Sequence, residues 1–373
     1  MSNKTVVVTE PAAVAALTRI YKGIGPDDLE WDLATPGQVK AQDGSLTAAK
    51  GALTGLKLDG YISLEDDGRF ILTSLMRNLS PLADLTDLKT LSLSSNWIKN
   101  ISPLAGLTKL KKLNLRDNEI IDLSPLAGLT NLTTLNLELN HKLSDLSPLA
   151  DLTSLKTLCF ADDKISDLST LAGLTNLTTL KLSGNGTIIR DISPLAGLVN
   201  LTDLGLSAYK INDLSPLAGL VNLLSLKLGS NAISDLSPLA KFTKLVELNL
   251  RGNRRISDLS PLADMTDLKK LNLNGNKISD LSPLAELTKL VELNMHTNQI
   301  SDLSPLAGLT NLKKLNLNGN KISDLSPLAE SRLLNLEEIE LHNNPVTDLS
   351  PLSRLPKLKK IDGEKYKRPR GKK

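Results

Sequence analysis

The stretch KKLNLNGNKISDLSPLAE stands at residues 269–286 and recurs letter for letter at residues 313–330. The two copies begin 44 positions apart, and the related stretch NMHTNQISD at 294–302 lies between them in the same phase, so the period is 22 residues. A chain that repeats one short unit many times builds a stack in which each unit packs on its neighbours. The sequence therefore predicts a solenoid.

Within one unit, Leu271 and Leu273 have the period of two that is expected of a short strand with one buried face. Asn276 follows at a turn. Ser282 before Pro283 is typical of a helix start, with Ser as the N-cap and Pro at the first helical position. Each unit is therefore predicted to contain a strand, a turn and one or two turns of α- or 3₁₀-helix.

The Asn at the turn recurs in most units. Its amide offers two hydrogen-bond donors and an acceptor, which suits the buried backbone groups of a sharp turn. We therefore expect a column of Asn side chains that bridges successive turns, interrupted at Asp163 and Tyr209. The members of the column are Asn96, Asn118, Asn140, Asn185, Asn231, Asn253, Asn276, Asn298, Asn320 and Asn344.

The pattern LxxLxLxxNxI followed by DLSPLAxLTxL resembles the leucine-rich repeats of bacterial internalins, and is similar to the 22-residue repeats of a eukaryotic protein phosphatase 1 regulatory subunit. The resemblance covers residues 79 to about 363. It implies an α/β solenoid, a leucine-rich repeat horseshoe with one parallel sheet on the concave face, which recognises proteins through that face. The predicted domains are a cap at 1–75, a solenoid of 12 to 13 repeats with a C-terminal cap at 76–363, and a basic tail at 364–373.

Residues 1–75 do not show the repeat. Residues 11–21 and 45–60 each predict a helix, and residues 63–74 predict a hairpin around Asp67-Gly68. The second helix and the hairpin resemble the last helix and wing of a winged-helix domain, which implies a small α+β cap. The strand at 69–73 is in phase to form the first rung. Eight basic against ten acidic residues up to position 77 argue against nucleic-acid binding.

The composition bounds the class of protein. Across 373 residues, 40% are hydrophobic, 23% are charged and the net charge is +3, which fits a globular chain without a strong preference for nucleic acid. A single cysteine, Cys159, excludes a disulfide framework within the chain and indicates a reducing compartment or a bacterial origin. Neither a signal-peptide pattern nor an apolar run of membrane-spanning length is present. We expect a cytoplasmic location, or a secreted or surface location if a signal peptide was removed.

Side chains that flank the strand leucines are expected to point into the concave face. The middle of the chain, from Cys159 to Gly229, departs most from the repeat, and Tyr209 is its aromatic candidate for the main contact. A neighbouring column alternates in charge, which predicts cross-strand ion pairs: Glu247, Lys270, Glu292, Lys314 and Glu338. The candidate partner-binding residues are Arg116, Glu138, Lys181, Asp203, Tyr209, Lys227, Arg251, His296 and His342.

Several units are one or two residues longer than 22. The extra residues fall at His141-Lys142, Gly186-Thr187, Arg254-Arg255 and Ser331-Arg332. They are either neutral length variants or additions that decorate one edge of the solenoid. The C-terminal basic tail could contact phosphates, an acidic partner or a membrane surface, or could simply be solvated. Its basic residues are Lys365, Lys367, Arg368, Arg370, Lys372 and Lys373.

No constellation of catalytic, metal-ligating or phosphate-binding residues emerges from the sequence. The chain is therefore predicted to be a non-enzymatic scaffold without a cofactor, monomeric alone, that binds another protein through the concave face. Three alternatives stay open. They are a secreted or surface recognition protein of the internalin kind, a structural subunit of a large assembly, and a nucleic-acid-linked sensor that acts through the N-terminal domain.

Overall fold

The structure is a computed structural model that describes residues 77–161, 164–184, 189–330 and 332–366. Within the first 76 residues it describes the short segments 6–8, 31–32, 39–41, 46–49, 52–58, 61–64 and 70–73. The chain divides into two compact units, Met1–Thr187 and Ile188–Lys373, called here the N-terminal unit and the C-terminal unit.

Short strands recur through the N-terminal unit. They are β1 (Val6–Val8), β2 (Trp31–Asp32), β3 (Val39–Ala41), β4 (Leu46–Ala49), β5 (Ala52–Lys57), β6 (Tyr61–Leu64), β7 (Phe70–Thr73), β8 (Thr90–Ser92), β9 (Lys112–Asn114), β10 (Thr134–Asn136), β11 (Thr157–Ala161) and β12 (Thr179–Ser183). Strands β5 and β8 to β12 pair in parallel in chain order, and β4 pairs antiparallel with β5. The parallel sheet with one strand per repeat is as predicted.

The C-terminal unit follows the same plan. Its strands are β13 (Asp203–Ser207), β14 (Ser225–Lys227), β15 (Glu247–Asn249), β16 (Lys270–Asn272), β17 (Glu292–Asn294), β18 (Lys314–Asn316), β19 (Glu338–Glu340), β20 (Lys360–Ile361) and β21 (Glu364–Lys365). Strands β13 to β20 are parallel and in chain order. β21 pairs antiparallel with β20 and ends the sheet.

Each repeat returns to the next strand through a short helix, which contains the sequence Ser-Pro-Leu except in the helix that begins at Ser169, where Thr170 replaces Pro. In the N-terminal unit these 3₁₀-helices are Ser80–Leu82, Ser102–Leu104, Ser124–Leu126, Ser147–Leu149 and Ser169–Gly173. In the C-terminal unit they are Ser193–Leu195, Ser215–Leu217, Ser237–Leu239, Ser260–Leu262, Ser282–Leu284, Ser304–Gly308 and Ser350–Arg354, with one α-helix, α1 (Ser326–Ala329). Pro lies in the first turn, where its missing N–H costs nothing.

The residue that starts these helices differs from the prediction. Ser282 is not an N-cap, since its side chain caps no backbone group and the residue already lies inside the helix. Asp280 takes that role, because its carboxylate accepts the Ser282 N–H at 2.8 Å and the Ser282 hydroxyl at 2.6 Å. The ionised carboxylate is the stronger acceptor, which explains why Asp rather than Ser satisfies the exposed donor.

The Asn column is confirmed where the structure describes it. Asn298 donates from Nδ2 to the carbonyls of Leu273 and Met295, and its Oδ1 accepts the N–H of Ile278 at 3.0 Å. The Asn298 side chain therefore joins three backbone groups of two adjacent repeats, which removes the cost of burying them. The column positions Asp163 and Asn185 lie outside the described residues.

Leucine fills the interior of both units. In the repeat that begins with β16, Leu271, Leu273, Leu284, Leu287 and Leu290 are all buried. A fully buried Leu side chain contributes roughly 1.5–3 kcal/mol relative to an exposed one. One repeat cannot bury these side chains alone, so the core exists only in the stack.

The N-terminal cap differs from the prediction. The segment expected to be a helix at 45–60 contains strands β4 and β5, and β5 pairs in parallel with β8. The predicted hairpin forms, as β6 paired antiparallel with β7. Among the described strands β7 pairs with β6 alone and β5 lies next to β8, so the strand at 69–73 is not the first rung. Without the helix, the likeness to a winged-helix domain is not confirmed, and the helix predicted at 11–21 lies outside the described residues.

The last strands close the C-terminal unit. Asp362 Oδ1 accepts the backbone N–H groups of Leu341 at 2.6 Å and His342 at 3.1 Å, so a carboxylate satisfies donors of the preceding repeat at this end. Lys365 belongs to β21 rather than to a free tail. The other basic residues predicted for the tail, from Lys367 onward, lie outside the described residues.

Candidate partner-binding surface

The strand face is the surface formed by the outward side chains on either side of each buried strand leucine. On β16 these are Lys270 and Asn272, which flank the buried Leu271. In the C-terminal unit one line of this face alternates in charge and is in strict register: Glu247, Lys270, Glu292, Lys314, Glu338 and Lys360. The predicted charged column is therefore present, and it extends to Lys360.

The charges in this column pair with each other. Lys270 lies 3.4 Å from Glu292, and Glu338 lies 3.7 Å from Lys314 and 2.9 Å from Lys360. The hydrogen bond from Lys360 is the main reason that the pKa of Glu338 is lowered. Exposed pairs of this kind contribute about 0–1 kcal/mol each. Their larger effect is on the character of the strand face, because each of these charges is neutralised by a neighbour and is not free to attract a partner.

The second line of the strand face consists of Asn side chains that turn back on their own strands. The Oδ1 atom of Asn272 accepts the N–H of Asn274 at 3.1 Å, and that of Asn294 accepts the N–H of His296 at 3.1 Å. Some of these side chains also reach the adjacent strand, since Asn114 Nδ2 donates to Ser92 Oγ at 3.0 Å and Asn316 Nδ2 donates to Glu340 Oε2. An Asn side chain reaches the backbone two residues along its own chain more easily, as in an Asx turn.

Three of the predicted partner-binding residues lie in the N-terminal unit. Arg116 and Glu138 lie on adjacent repeats, and Arg116 Nε is 3.5 Å from Glu138 Oε2. Lys181 on β12 is exposed and in register with Cys159 on β11. The strand face of this unit therefore carries one ion pair and one exposed lysine among the predicted residues.

The other predicted residues lie in the C-terminal unit, and most have partners there. Asp203 accepts the Thr202 hydroxyl at 2.9 Å, and Lys227 lies 3.3 Å from Glu247. Arg251 is exposed on the edge that follows β15.

The two predicted histidines also have neighbours in the C-terminal unit. His296 Nδ1 is 3.5 Å from Asn274 Nδ2, and His342 Nδ1 is 3.9 Å from Asp362 Oδ2. Within the described residues, His, Cys, Asp and Glu form no group of three that could hold a metal ion.

Tyr209 was predicted to be the main exposed contact, and this is wrong. The side chain is 0% exposed and is among the largest that are fully buried. Tyr209 occupies a position of the Asn column, so it points inward as the Asn side chains do. Its backbone keeps the same turn, because the N–H groups of Tyr209 and Ile211 both donate to Asn231 Oδ1 at 3.1 Å.

Among the residues whose side chains the structure describes, the exposed aromatic one is Trp97, which the sequence reasoning missed. It is 44% exposed, and the Arg77 guanidinium lies 5.2 Å from its ring centroid, in cation–π range. Lys99, Asn100 and Glu119 complete the wall of a shallow depression of about 440 Å³. The signal was present, because Trp97 follows Asn96 at a position that is polar or small elsewhere, as in Glu119.

Glu119, beside Trp97, forms ion pairs with two lysines. It lies 3.3 Å from Lys99 and 3.4 Å from Lys142, and their hydrogen bonds, Lys99 first, lower the pKa of this carboxyl. Lys142 comes from the inserted pair His141-Lys142, so this insertion adds a cation to the edge that carries Trp97. The exposed Ile121 lies one repeat further along the same edge.

Cys159 carries no sign of reactivity. It is 8% exposed on β11 and forms no disulfide. Burial raises the pKa of its thiol, and the charge of Glu138 raises it further, while Lys181 acts in the opposite direction. A thiol that stays protonated is a poor nucleophile.

Among the residues that the structure describes, no helix has the length and apolar character needed to cross a bilayer. The longest helices of the repeats have five residues, since each spans only the Ser-Pro-Leu turn and its continuation.

Comparison with known proteins identifies the family. The family model described as leucine-rich repeats in two copies matches residues 108–151, 221–264, 266–308 and 298–330. A crystal structure of an internalin, InlF, from Listeria monocytogenes is 31% identical, covers 95% of each chain and has a TM-score of 0.64. The structure of a leucine-rich repeat protein of Leptospira interrogans, LIC12759, is 26% identical over 77% of this chain and 81% of its own, also with a TM-score of 0.64. The curated proteins gave no match. The chain belongs to the leucine-rich repeat family.

Proposed function

We propose that the chain is a non-enzymatic scaffold that binds another protein through the strand face and its edge, with Trp97 as an anchor. Leucine-rich repeats typically mediate protein binding, and their fold is generally non-catalytic. The observation that carries the proposal is the exposed Trp97 ring held by Arg77. Trp and Arg are the side chains most enriched among residues that dominate binding energy at protein interfaces.

The strand face supplies the surface around such an anchor. In the N-terminal unit Arg116 is paired with Glu138, and their backbone N–H groups donate to the side chains of Asn114 and Asn136, so little ordering remains to be done on binding. Arg116, Glu138 and Lys181 of the N-terminal unit are the predicted residues that share a unit with Trp97. A stable complex needs a contact area of about 800 Å² on each partner, which a surface of several repeats can supply.

The test is capture of partners from an extract of the native source by the full chain and by the variants Trp97→Ala and Arg77→Ala. Leu334→Ala is the matched control, because Leu334 is 56% exposed and lies in the C-terminal unit. A protein that binds through the anchor is expected to lose about tenfold or more in affinity with Trp97→Ala and to be unaffected by Leu334→Ala. Partners held equally well by all three variants would contradict the proposal.

A second candidate is a recognition protein displayed at the cell surface. The observation that favours it is the 31% identity to a Listeria internalin over 95% of the chain. Antibody labelling of intact and permeabilised cells of the native source tests it. Labelling of intact cells supports surface display, whereas labelling only after permeabilisation supports the cytoplasmic scaffold.

A further inference from the structure

The edge of the C-terminal unit formed by the turns after β14 to β17 contains an open groove of about 910 Å³. Arg251, Arg254 and Lys277 line it, and no carboxylate does among the described residues. All three cations are exposed, and none of them lies in an ion pair with another described residue. Elsewhere in the unit the lysines of the strand face are paired with glutamates, so this cluster of uncompensated positive charge is unusual.

The groove is associated with a change in repeat length. The turns that contain Asn253 and Asn276 are separated by 23 residues rather than 22, because Arg254 and Arg255 replace the single residue of other repeats. Arg254 takes a positive φ of 61° and donates its N–H to the Gly275 carbonyl at 3.1 Å. The insertion therefore adds a cation to the groove and changes the backbone that faces Asn276.

Asn276 shows the consequence of this change. Its Nδ2 still donates to the carbonyls of Leu250 at 3.1 Å and Leu273 at 2.9 Å. In the next repeat Asn298 Oδ1 accepts the N–H of Ile278, but no donor from the described residues reaches Asn276 Oδ1. Asn276 is only 8% exposed and forms part of the groove wall. This oxygen is itself buried, so it marks the local change that the longer turn makes in the column rather than a contact point of the groove.

The dimensions suit an extended chain. Ser230, Gly252, Gly275 and Thr297 mark four successive repeats along the groove, and at about 4.8 Å per repeat they span roughly 14 Å. That is the length of about four residues in an extended peptide. Gly252 and Gly275 have positive φ and form a floor without side chains, which lets another backbone approach closely.

We propose that this groove binds an extended acidic peptide segment of the partner protein. Carboxylates of the segment pair with Arg251, Arg254 and Lys277, and its backbone lies along the turns that line the groove. Guanidinium groups suit this task because they hold carboxylates through two parallel hydrogen bonds. This inference rests on the proposed function, since it names the chemistry of one part of the partner.

The test uses the full chain and a fluorescent hexapeptide of alternating Glu and Asp, measured by anisotropy. Binding is expected at low ionic strength and should weaken as salt is added, because the contacts are electrostatic. The double variant Arg251→Gln/Arg254→Gln should lose about tenfold or more in affinity. Arg332→Gln, which removes an exposed cation outside the groove, should bind as the unchanged chain does. A hexapeptide of lysine should not bind.

The inference is overturned if the acidic peptide does not bind, or if it binds the double variant and the unchanged chain equally. It is also overturned if a sulfated hexasaccharide binds through Arg251 and Arg254 while the peptide does not. Its failure is distinct from failure of the proposed function. Partner capture that still depends on Trp97 would leave the scaffold in place and remove only the acidic segment from the description of the partner.

Discussion

The Asn side chains of the column differ in how many of their polar atoms form hydrogen bonds. Asn298 places both its amide nitrogen and its carbonyl oxygen in hydrogen bonds with buried backbone groups, whereas Asn276 keeps only those of its nitrogen among the described residues. Each buried backbone group that loses its partner costs about 1–3 kcal/mol. The column therefore offers a comparison between two sites that have the same residue and nearly the same surroundings.

We predict that Asn298→Ala lowers the free energy of unfolding by roughly 1–3 kcal/mol, because it strands the N–H of Ile278, while the carbonyls of Leu273 and Met295 each keep one donor, from Asn276 and Asn320. Asn276→Ala should cost about 1 kcal/mol less, since one hydrogen bond fewer is lost. Urea unfolding followed by circular dichroism measures both. Equal losses for the two variants would show that the Asn276 oxygen is satisfied in solution as fully as that of Asn298.

Cys159 gives a second prediction for a single side chain. Its thiol is nearly buried and its pKa is raised, so the reactive thiolate is scarce at neutral pH. We expect iodoacetamide at pH 7.5 to modify the folded chain far more slowly than the chain in 6 M guanidinium chloride, as followed by intact mass. Equally fast modification in both conditions would mean that strand β11, which contains Cys159, opens readily in the folded chain.

Residue type alone does not predict which of the two side chains, Trp97 or Tyr209, is exposed. Both are aromatic departures from a polar pattern, and they differ only in their place within the repeat. Tyr209 replaces the inward-pointing Asn and is buried, while Trp97 follows that Asn and is exposed. The repeat phase, counted from Asn96 or Asn231, separates the two cases. Rarity of a residue type within the chain does not.

The repeat itself is the element that the sequence predicts best. Strand, Asn turn and Pro-containing helix each follow from local chemistry that is repeated about a dozen times, so the repeats reinforce one interpretation. The segment at 45–60 lacks that support. Leu53 and Leu56 fit a helix by spacing, but Leu56 and Leu58 are both buried and two residues apart, as in Leu91 and Leu93. The helix prediction relied on the three-residue spacing of Leu53 and Leu56 and overlooked the two-residue spacing of Leu56 and Leu58, which is that of a strand.

The turn at Arg254-Arg255 is one residue longer than the corresponding turn of the next repeat. Deletion of Arg255 leaves the letters GNRISDLSPL, which differ from GNKISDLSPL at 275–284 only by Arg for Lys. The restored register should let the Ile256 N–H donate to Asn276 Oδ1, as Ile278 does to Asn298.

We expect this deletion to raise the free energy of unfolding by about 1 kcal/mol and to weaken binding of the acidic hexapeptide. Arg255→Ala is the matched control, because it removes the same charge but keeps the extra residue. A stability gain shared by Arg255→Ala would assign the effect to charge rather than to register. A loss of stability on deletion would show that the long turn is the better-packed form.

Over the whole molecule, the same hydrogen bonds between an Asp and the first Ser of a helix recur in most repeats. An Asp two positions before the helix Ser accepts that Ser's donors at the start of successive helices, and in eight of these carboxyls the pKa is lowered. In Asp122 and Asp348 the Ser backbone N–H contributes most, and in the others the Ser hydroxyl does. The eight are Asp122, Asp191, Asp213, Asp258, Asp280, Asp302, Asp324 and Asp348.

The sign of the resulting pH dependence follows from linkage. A carboxyl with a pKa lower in the folded than in the unfolded chain binds its proton more weakly when folded. Its stabilisation is complete above the unfolded pKa, about 3.8 for Asp, and is lost as the pH falls through the lower folded value. Because neighbouring repeats share a cooperative stack, the small contributions of eight sites add. Acid should therefore destabilise this chain below pH 4 more steeply than any single carboxyl could.

We predict that the quadruple variant Asp258→Asn, Asp280→Asn, Asp302→Asn and Asp324→Asn has a flatter fall in melting temperature between pH 5 and pH 2.5 than the unchanged chain. Asn keeps an acceptor for the Ser N–H but has no proton to gain, so the variant should be less stable at pH 7 and should lose less on acidification. Asp264→Asn is the control, because Asp264 is exposed and accepts no Ser hydrogen bond in the described structure. Parallel melting curves against pH for the quadruple variant and the unchanged chain would place the acid sensitivity in the Lys–Glu pairs of the strand face instead.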